Sequence, residues 1–217
     1  MQLYLIRHAQ SQNNALPESQ RVPDPGITEL GVQQSRALAE RLRDAKIDVL
    51  LTSAFRRALQ TTQCVAEVRD QPVSIWTELF EQGGCYSGHV DLLGAPGMTR
   101  EEIECDFPNF SVPNDIDEDG WWRSKPYESW EAATDRAQRI TQRLKAEFGH
   151  TDQTIACVIH ADFKALLLTE MLGTRHPQWT GYYDLSNTGV TVLRFEADQF
   201  DVEMLNDTSH LTDVLRS

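Results

Sequence analysis

Five side chains that can bind or transfer a phosphoryl group follow short apolar segments of this chain. Arg7 and His8 end the first segment, Arg57 follows the second, Glu81 follows the third and His160 ends the fourth. Guanidinium groups offer forked donors that match phosphate oxygens. An imidazole among fixed positive charges has a lowered pKa, so it stays neutral and nucleophilic near neutral pH. A carboxyl group with a raised pKa can protonate a leaving oxygen.

These side chains meet only if the segments before them are neighbouring parallel strands, whose carboxyl ends lie at one edge of a sheet. Apolar runs predict strands at residues 1–6, 47–52, 73–76 and 154–159. Helical apolar spacing predicts helices between them, at residues 28–43, 53–68, 128–148 and 163–172. Two further strands, 190–195 and 200–205, follow. This alternation predicts an α/β fold, a three-layer sandwich with a mostly parallel central sheet.

Residues 85–127 interrupt the alternation of strands and helices. This segment holds four prolines, an acidic run at residues 115–119 and several aromatic residues. We expect a single domain, residues 1–217, in which residues 85–127 form an inserted cap over the carboxyl edge of the sheet. The acidic run predicts a solvated loop. Trp121 and Trp122 are expected to pack within the insertion, or alternatively to form an apolar wall above the anion site.

Composition limits the partners of the protein. The 217 residues carry a formal net charge of −13, which argues against nucleic acid as a partner. We find neither an apolar stretch that could span a membrane nor a secretory signal, so we expect a cytoplasmic protein that does not bind membranes. The four cysteines are therefore expected to be free thiols. The remaining histidines lack ligand spacing, so no metal site is predicted.

Several segments resemble, in the right order, the motifs of the histidine phosphatase superfamily, the phosphoglycerate mutase-like proteins. Residues 5–14, LIRHAQSQNN, are similar to the Arg-His signature with its later asparagine. Residues 53–61, SAFRRALQT, and 79–84, LFEQGG, are similar to the second arginine motif and the glutamate motif. His160 occupies the place of the second histidine, and residues 205–211, LNDTSHL, resemble a carboxyl-terminal motif of bacterial members.

The resemblance implies a role for each matching residue. His8 would be the nucleophile, and Glu81 would protonate the leaving group and then activate water. Four groups would hold the phosphoryl group, namely Arg7, Asn14, Arg57 and His160. Backbone N–H groups at the helix start after His160, that of Ala161 included, would add donors. The resemblance implies no metal ion and no organic cofactor.

The chain departs from the family motifs at three positions. Ala9 replaces the usual glycine after His8, which matters only if that backbone needs a positive φ. Ala161 and Asp162 replace the two glycines after His160. Asp162 could compete with Glu81 as the proton donor, and Glu78 is a further rival. The motif match favours Glu81.

Three functions agree with these residues. The first is a phosphomonoesterase that hydrolyses a small phosphorylated substrate through a phosphohistidine. The second is a phosphoglycerate mutase, which returns the phosphoryl group to a substrate, although the Arg-Arg-Ser stretch of glycolytic members is absent. The third is a non-catalytic protein that binds a phosphorylated ligand, which would not need both a nucleophile and an acid. Neither the substrate nor the oligomeric state follows from the sequence.

Overall fold

The computed structural model of the chain describes residues 1–87, 92–173 and 185–217. The strands are β1 Gln2–Arg7, β2 Val49–Thr52, β3 Val73–Ile75, β4 Tyr86–Ser87, β5 Leu93–Gly94, β6 Phe110–Ser111, β7 Thr154–Ile159, β8 Val190–Glu196 and β9 Gln199–Asp207. The α-helices are α1 Gln12–Ala15, α2 Glu29–Leu42, α3 Arg56–Arg69, α4 Arg100–Asp106, α5 Trp130–Phe148 and α6 Ala161–Leu172.

Seven strands form one sheet in the order β6-β3-β2-β7-β1-β8-β9. The strands β6, β3, β2, β7 and β1 are parallel, and β8 and β9 are antiparallel to their neighbours. Arg7 lies beside Ile159, and Thr52 lies beside both Val158 and Ile75. The residues that follow these strand ends therefore emerge at one edge of the sheet. The predicted mostly parallel sheet is confirmed.

Helices cover both faces of the sheet. Leu38 of α2 and Leu59 of α3 belong to one buried apolar cluster, with Ile6 of β1 from the sheet. Ile140 of α5 and residues of α6 belong to a second cluster, with Leu5 of β1. Adjacent residues of β1 thus point to opposite layers, as the two-residue period of a strand requires. The three-layer α/β sandwich is confirmed, and all six residues of β7 at its centre are buried.

The insertion at residues 85–127 contributes an edge strand that the sequence did not indicate. Its β6 pairs in parallel with β3, while β4 and β5 form a separate hairpin. Trp121 packs on Phe55 with a ring-centroid distance of 4.6 Å, and Trp122 packs on Phe80 at 4.9 Å. The tryptophans are therefore packing residues, but the expectation that they pack within the insertion is only partly met, because Phe55 and Phe80 lie outside residues 85–127. The cap role of the whole insertion stays a prediction.

Local capping explains where the predicted helices begin. Helix α2 starts within one residue of the predicted position, after Thr28, whose Oγ1 accepts a hydrogen bond from the Gly31 N–H at 3.0 Å. Helix α5 starts two residues later than expected because Ser129 caps it, accepting a hydrogen bond from the Ala132 N–H at 3.1 Å.

The prediction that residues 115–119 form a solvated loop is wrong for Ile116, whose side chain is fully buried.

Three further expectations concern ligands and membranes. Cys64, Cys85, Cys105 and Cys157 are free thiols, as predicted. Within the described ranges, His, Cys, Asp and Glu side chains form no group of three or more that could hold a metal ion. None of the helices in those ranges is both long enough and apolar enough to cross a membrane. His89 and His176 lie outside the described residues.

Candidate active site

His8 emerges from β1 into a position that fixes the proton on its ring. The Arg57 Nε–H donates a hydrogen bond to His8 Nε2 at 3.1 Å, and His8 Nδ1 lies 2.7 Å from the Ala9 carbonyl oxygen. An arginine can only donate, so Nε2 must carry a lone pair. The neutral ring therefore keeps its proton on Nδ1, which donates to Ala9. This tautomer leaves a lone pair on Nε2, the ring nitrogen that could act as a nucleophile.

The surroundings of His8 also keep its ring neutral. The side chain is buried, and this burial, followed by the positive charges of Arg57 and Arg7, holds the pKa of His8 well below its usual value. Arg57 lies at the start of α3 with its guanidinium 3.9 Å from the centre of the Phe55 ring. Arg7 donates from Nη1 to the Leu185 carbonyl at 2.5 Å. Both cations are thus held in place before any ligand binds.

His160 lies beside His8, with 5.1 Å between the ring centres. Its Nε2 is 2.8 Å from the Ser53 hydroxyl oxygen, which also accepts a hydrogen bond from the Phe55 N–H at 3.4 Å. Burial and then the charge of Arg57 hold the pKa of His160 well below its usual value. The His160 Nδ1 atom is buried and has no hydrogen-bond partner in the part of the chain that the structure describes.

Asn14 presents its amide nitrogen as a donor. Its Oδ1 accepts hydrogen bonds from the Ser11 N–H at 3.1 Å and from Asn187 Nδ2 at 3.3 Å. The backbone N–H of Ser11 can only donate, so the atom that it contacts must be the amide oxygen. The NH₂ group of Asn14 therefore remains available to an anion. Asn187 also donates to the His8 carbonyl at 2.9 Å, which links Asn14 to the nucleophile.

Glu81 lies against the start of α6 instead of pointing freely into solvent. Its Oε1 accepts from the Phe163 N–H at 3.0 Å and from the Gln82 N–H at 2.9 Å, and its Oε2 accepts from the Asp162 N–H at 3.4 Å. Burial and then the charge of Asp162 raise the pKa of Glu81, while the charge of Arg57 and the hydrogen bonds from the Phe163 and Gln82 N–H groups oppose this shift. Glu81 is therefore fixed in position and biased toward its protonated form, as a proton donor requires.

One cavity of about 460 Å³ brings most of the predicted site residues together. It is lined by the predicted Arg7, His8, Asn14, Arg57, Glu81 and Ala161, together with Asp162. His160 does not line this cavity, because its ring is fully buried. Glu78 does not line it either. Arg21, Tyr86, Tyr127 and Trp130 form other parts of the wall and leave room for a group larger than a phosphate.

Comparison with known proteins shows the family of the chain. Residues 3–208 match the sequence profile of the histidine phosphatase superfamily, branch 1. The chain belongs to the histidine phosphatase superfamily. It is 31% identical to the adenosylcobalamin/alpha-ribazole phosphatase of Salmonella typhimurium over 79% of this chain and 80% of that protein.

Two further relatives carry phosphatase names. The chain is 28% identical to the glucosyl-3-phosphoglycerate phosphatase of Mycolicibacterium vanbaalenii, over 82% of this chain and 76% of that protein. Among solved structures, the alpha-ribazole phosphatase of Shigella flexneri superposes with a TM-score of 0.67 and 25% sequence identity. That match covers 95% of this chain and 96% of the other.

The structure accommodates the departures from the superfamily motifs. Ala9 does not have a positive φ, and its N–H donates to Thr61 Oγ1 at 3.1 Å, so the position does not require glycine. Ala161 and Asp162 form the first turn of α6 and have helical backbone conformation. Residues with side chains are therefore tolerated at all three positions.

Three residues that hold the site in place were not predicted from the sequence. Arg136 donates to the Glu78 and Phe80 carbonyls at 2.7 and 3.0 Å, and so holds the loop that leads to Glu81. The sequence does contain an indication of this role, because the helical spacing places Arg136 among the buried residues on one face of α5. Asp24 accepts from the Arg56 N–H at 2.9 Å and so caps α3. Nothing in the sequence around Asn187 indicates its role, because the residue lies in a polar loop.

Proposed function

We propose that this protein is a phosphomonoesterase that hydrolyses a small phosphate monoester through a phosphohistidine on His8. The observation that supports this proposal most strongly is the hydrogen bond from Arg57 Nε to His8 Nε2. It fixes an unprotonated imidazole nitrogen beside a cation that can bind the phosphoryl group. The phosphatase names of the relatives agree with hydrolysis as the reaction.

The phosphoryl group would be held by donors that are already in place. Arg7 and Arg57 would contact its oxygens with their guanidinium groups, and the amide nitrogen of Asn14 and the Ala161 N–H would add donors. We propose that His160 supports the other site residues and does not contact the phosphoryl group, because it does not line the cavity. These fixed charges stabilise the transition state without the reorganisation that water would need.

The reaction would proceed in two steps. In the first, His8 Nε2 attacks phosphorus, the bond to the ester oxygen breaks, and Glu81 gives its proton to that oxygen. In the second, the Glu81 carboxylate takes a proton from water, whose oxygen attacks the phosphohistidine and releases phosphate. Glu81 would thus act first as an acid and then as a base.

The other two functions considered for the sequence differ in their support. A phosphoglycerate mutase would use the same residues and would differ in the acceptor, so the products decide between the two. A non-catalytic binding protein has no need of a neutral imidazole and of a carboxyl group with a raised pKa in one cavity. The pKa shifts of His8 and Glu81 therefore favour an enzyme.

An activity screen with phosphate monoesters tests the proposed reaction. We expect release of inorganic phosphate, unchanged by EDTA because arginines supply the positive charge, and inhibition by vanadate, which imitates five-coordinate phosphorus. Addition of 2,3-bisphosphoglycerate should not be required. Loss of activity on chelation, restored by a divalent cation, would contradict the metal-free mechanism. Isomerised phosphoglycerate without phosphate release would indicate the mutase.

A further inference from the structure

Two carboxyl groups share one wall of the cavity. Asp162 is the second residue of α6, and its backbone N–H donates to Glu81 Oε2 at 3.4 Å. The next N–H, from Phe163, donates to Glu81 Oε1 at 3.0 Å. The Glu81 carboxyl group therefore rests on the backbone that carries the Asp162 side chain. Both residues line the cavity that contains His8.

The charged groups around Glu81 come from several elements. Arg57 of α3 faces it with a positive charge, but Arg57 also donates to His8. Arg136 of α5 is paired with the Glu128 carboxylate at 2.6 Å. Tyr86 of β4 is a third titratable neighbour. Asp162 opposes the two cations with a negative charge.

Asp162 is itself the more solvent-exposed of the two carboxyl groups. The Asp162 residue is exposed, whereas Glu81 is half-buried. Partial burial raises the pKa of Asp162, and the positive charge of Arg7 of β1 opposes this shift and favours its ionised form. Two carboxyl groups that share a site do not ionise together easily, so a single proton tends to remain on one of them. The burial of Glu81 and the greater exposure of Asp162 favour Glu81 as the site of this proton, against the Phe163 and Gln82 N–H groups, whose hydrogen bonds favour the ionised form of Glu81.

We propose that Asp162 is a positioning residue for the proton of Glu81, because its negative charge on the same cavity wall favours the protonated form of Glu81. This inference rests on the proposed function and adds a residue to it. When the bond between phosphorus and the ester oxygen breaks, the proton passes from Glu81 to that oxygen. Two anionic carboxylates then line the same cavity wall. Their repulsion favours transfer of a proton from the attacking water back to Glu81.

The test is the pH profile of single-turnover phosphorylation in Asp162→Asn. Without the neighbouring charge, the pKa of Glu81 falls, so Glu81 loses its proton at a lower pH. With glycerol phosphate, we expect the basic limb of the profile to move down by roughly half to one pH unit, since water in the cavity screens the pair. Above the limb the rate should fall about three- to tenfold.

Matched variants separate this effect from a change in structure. Asp162→Glu keeps a carboxylate and should restore the limb of the unmodified protein. Glu78→Gln removes one charge outside the cavity and should leave the limb in place. With p-nitrophenyl phosphate, the pH profile of the phosphorylation rate should not shift in any of these variants, because nitrophenolate leaves without a proton.

Two results would overturn the inference. One is a basic limb that stays in place in Asp162→Asn. The other is a loss with glycerol phosphate at every pH in Asp162→Asn, which would make Asp162 itself the donor. A failure of the proposed function is distinguishable from both. In that case the unmodified protein would form no phosphoenzyme even with p-nitrophenyl phosphate.

Discussion

At the scale of single residues, the site depends on protons that its hydrogen bonds assign. The Arg57 N–H fixes the lone pair on His8 Nε2, and the Ser11 N–H fixes the amide orientation of Asn14. Both assignments follow from the rule that these donors cannot accept. The sequence supplied the residue types and their order. It could not show that the His160 ring would be buried away from the cavity, because that depends on how Ser53 and Phe55 surround it.

The role of Glu81 gives a prediction at this scale. Glu81→Gln keeps the shape and one oxygen that can accept from Phe163 and Gln82, but it cannot donate a carboxyl proton. Single-turnover phosphorylation with glycerol phosphate should slow by about 10²–10⁴-fold, as expected for loss of a general acid. The rate with p-nitrophenyl phosphate should change little.

Arg57→Ala provides the matched comparison for Glu81→Gln. It removes a guanidinium that would bind the phosphoryl group whichever leaving group is attached. The phosphorylation rates with both substrates should therefore fall by a similar factor. Equal losses for both substrates in Glu81→Gln would show that Glu81 is not the proton donor. A dependence on the leaving group in Glu78→Gln would instead assign that role to Glu78.

At the scale of elements, helix starts and strand ends hold the site. The α3 start carries Arg57, the α6 start binds Glu81, and β1 ends at Arg7, directly before His8. Strong apolar periodicity made most of these elements predictable. The strand β6 and the hairpin β4–β5 were not, since two-residue strands contain no period to detect. Their positions depend on pairing with distant residues.

The Arg136 contacts lead to a stability prediction for α5. Arg136 is buried between Glu128 and the carbonyls of Glu78 and Phe80, so Arg136→Met leaves a carboxylate and two carbonyls without their partner. Breaking such a buried pair costs about 3–5 kcal/mol in the free energy of unfolding. Urea denaturation monitored by circular dichroism measures this loss.

Arg139→Met is the matched control for Arg136→Met on the same helix. Its side chain is exposed and lies 4.0 Å from Glu78, a surface pair that contributes little. We expect a change within about 0.5 kcal/mol in the free energy of unfolding. Equal destabilisation by both substitutions would contradict the anchoring role of Arg136.

At the scale of the whole molecule, a strongly acidic chain concentrates positive charge in one cavity. The net charge is −13, yet Arg7, Arg21 and Arg57 all line the cavity that contains His8. An anionic substrate would therefore be bound by local guanidinium groups and not by the overall field. The sequence predicted the convergence of Arg7 and Arg57, because parallel strands must end at one edge of the sheet, but it did not predict Arg21. It could not predict the shape of the cavity wall, which includes residues from the insertion, such as Tyr86 and Tyr127.

The covalent intermediate on His8 is the central claim, and rapid-quench labelling tests it most directly. Incubation with a substrate labelled in its phosphoryl group should leave an acid-labile, base-stable label on the protein. His8→Ala should carry no label, whereas His150→Ala, which changes an exposed histidine, should carry the normal amount. Label that persists in His8→Ala, or that survives acid, would contradict the phosphohistidine mechanism.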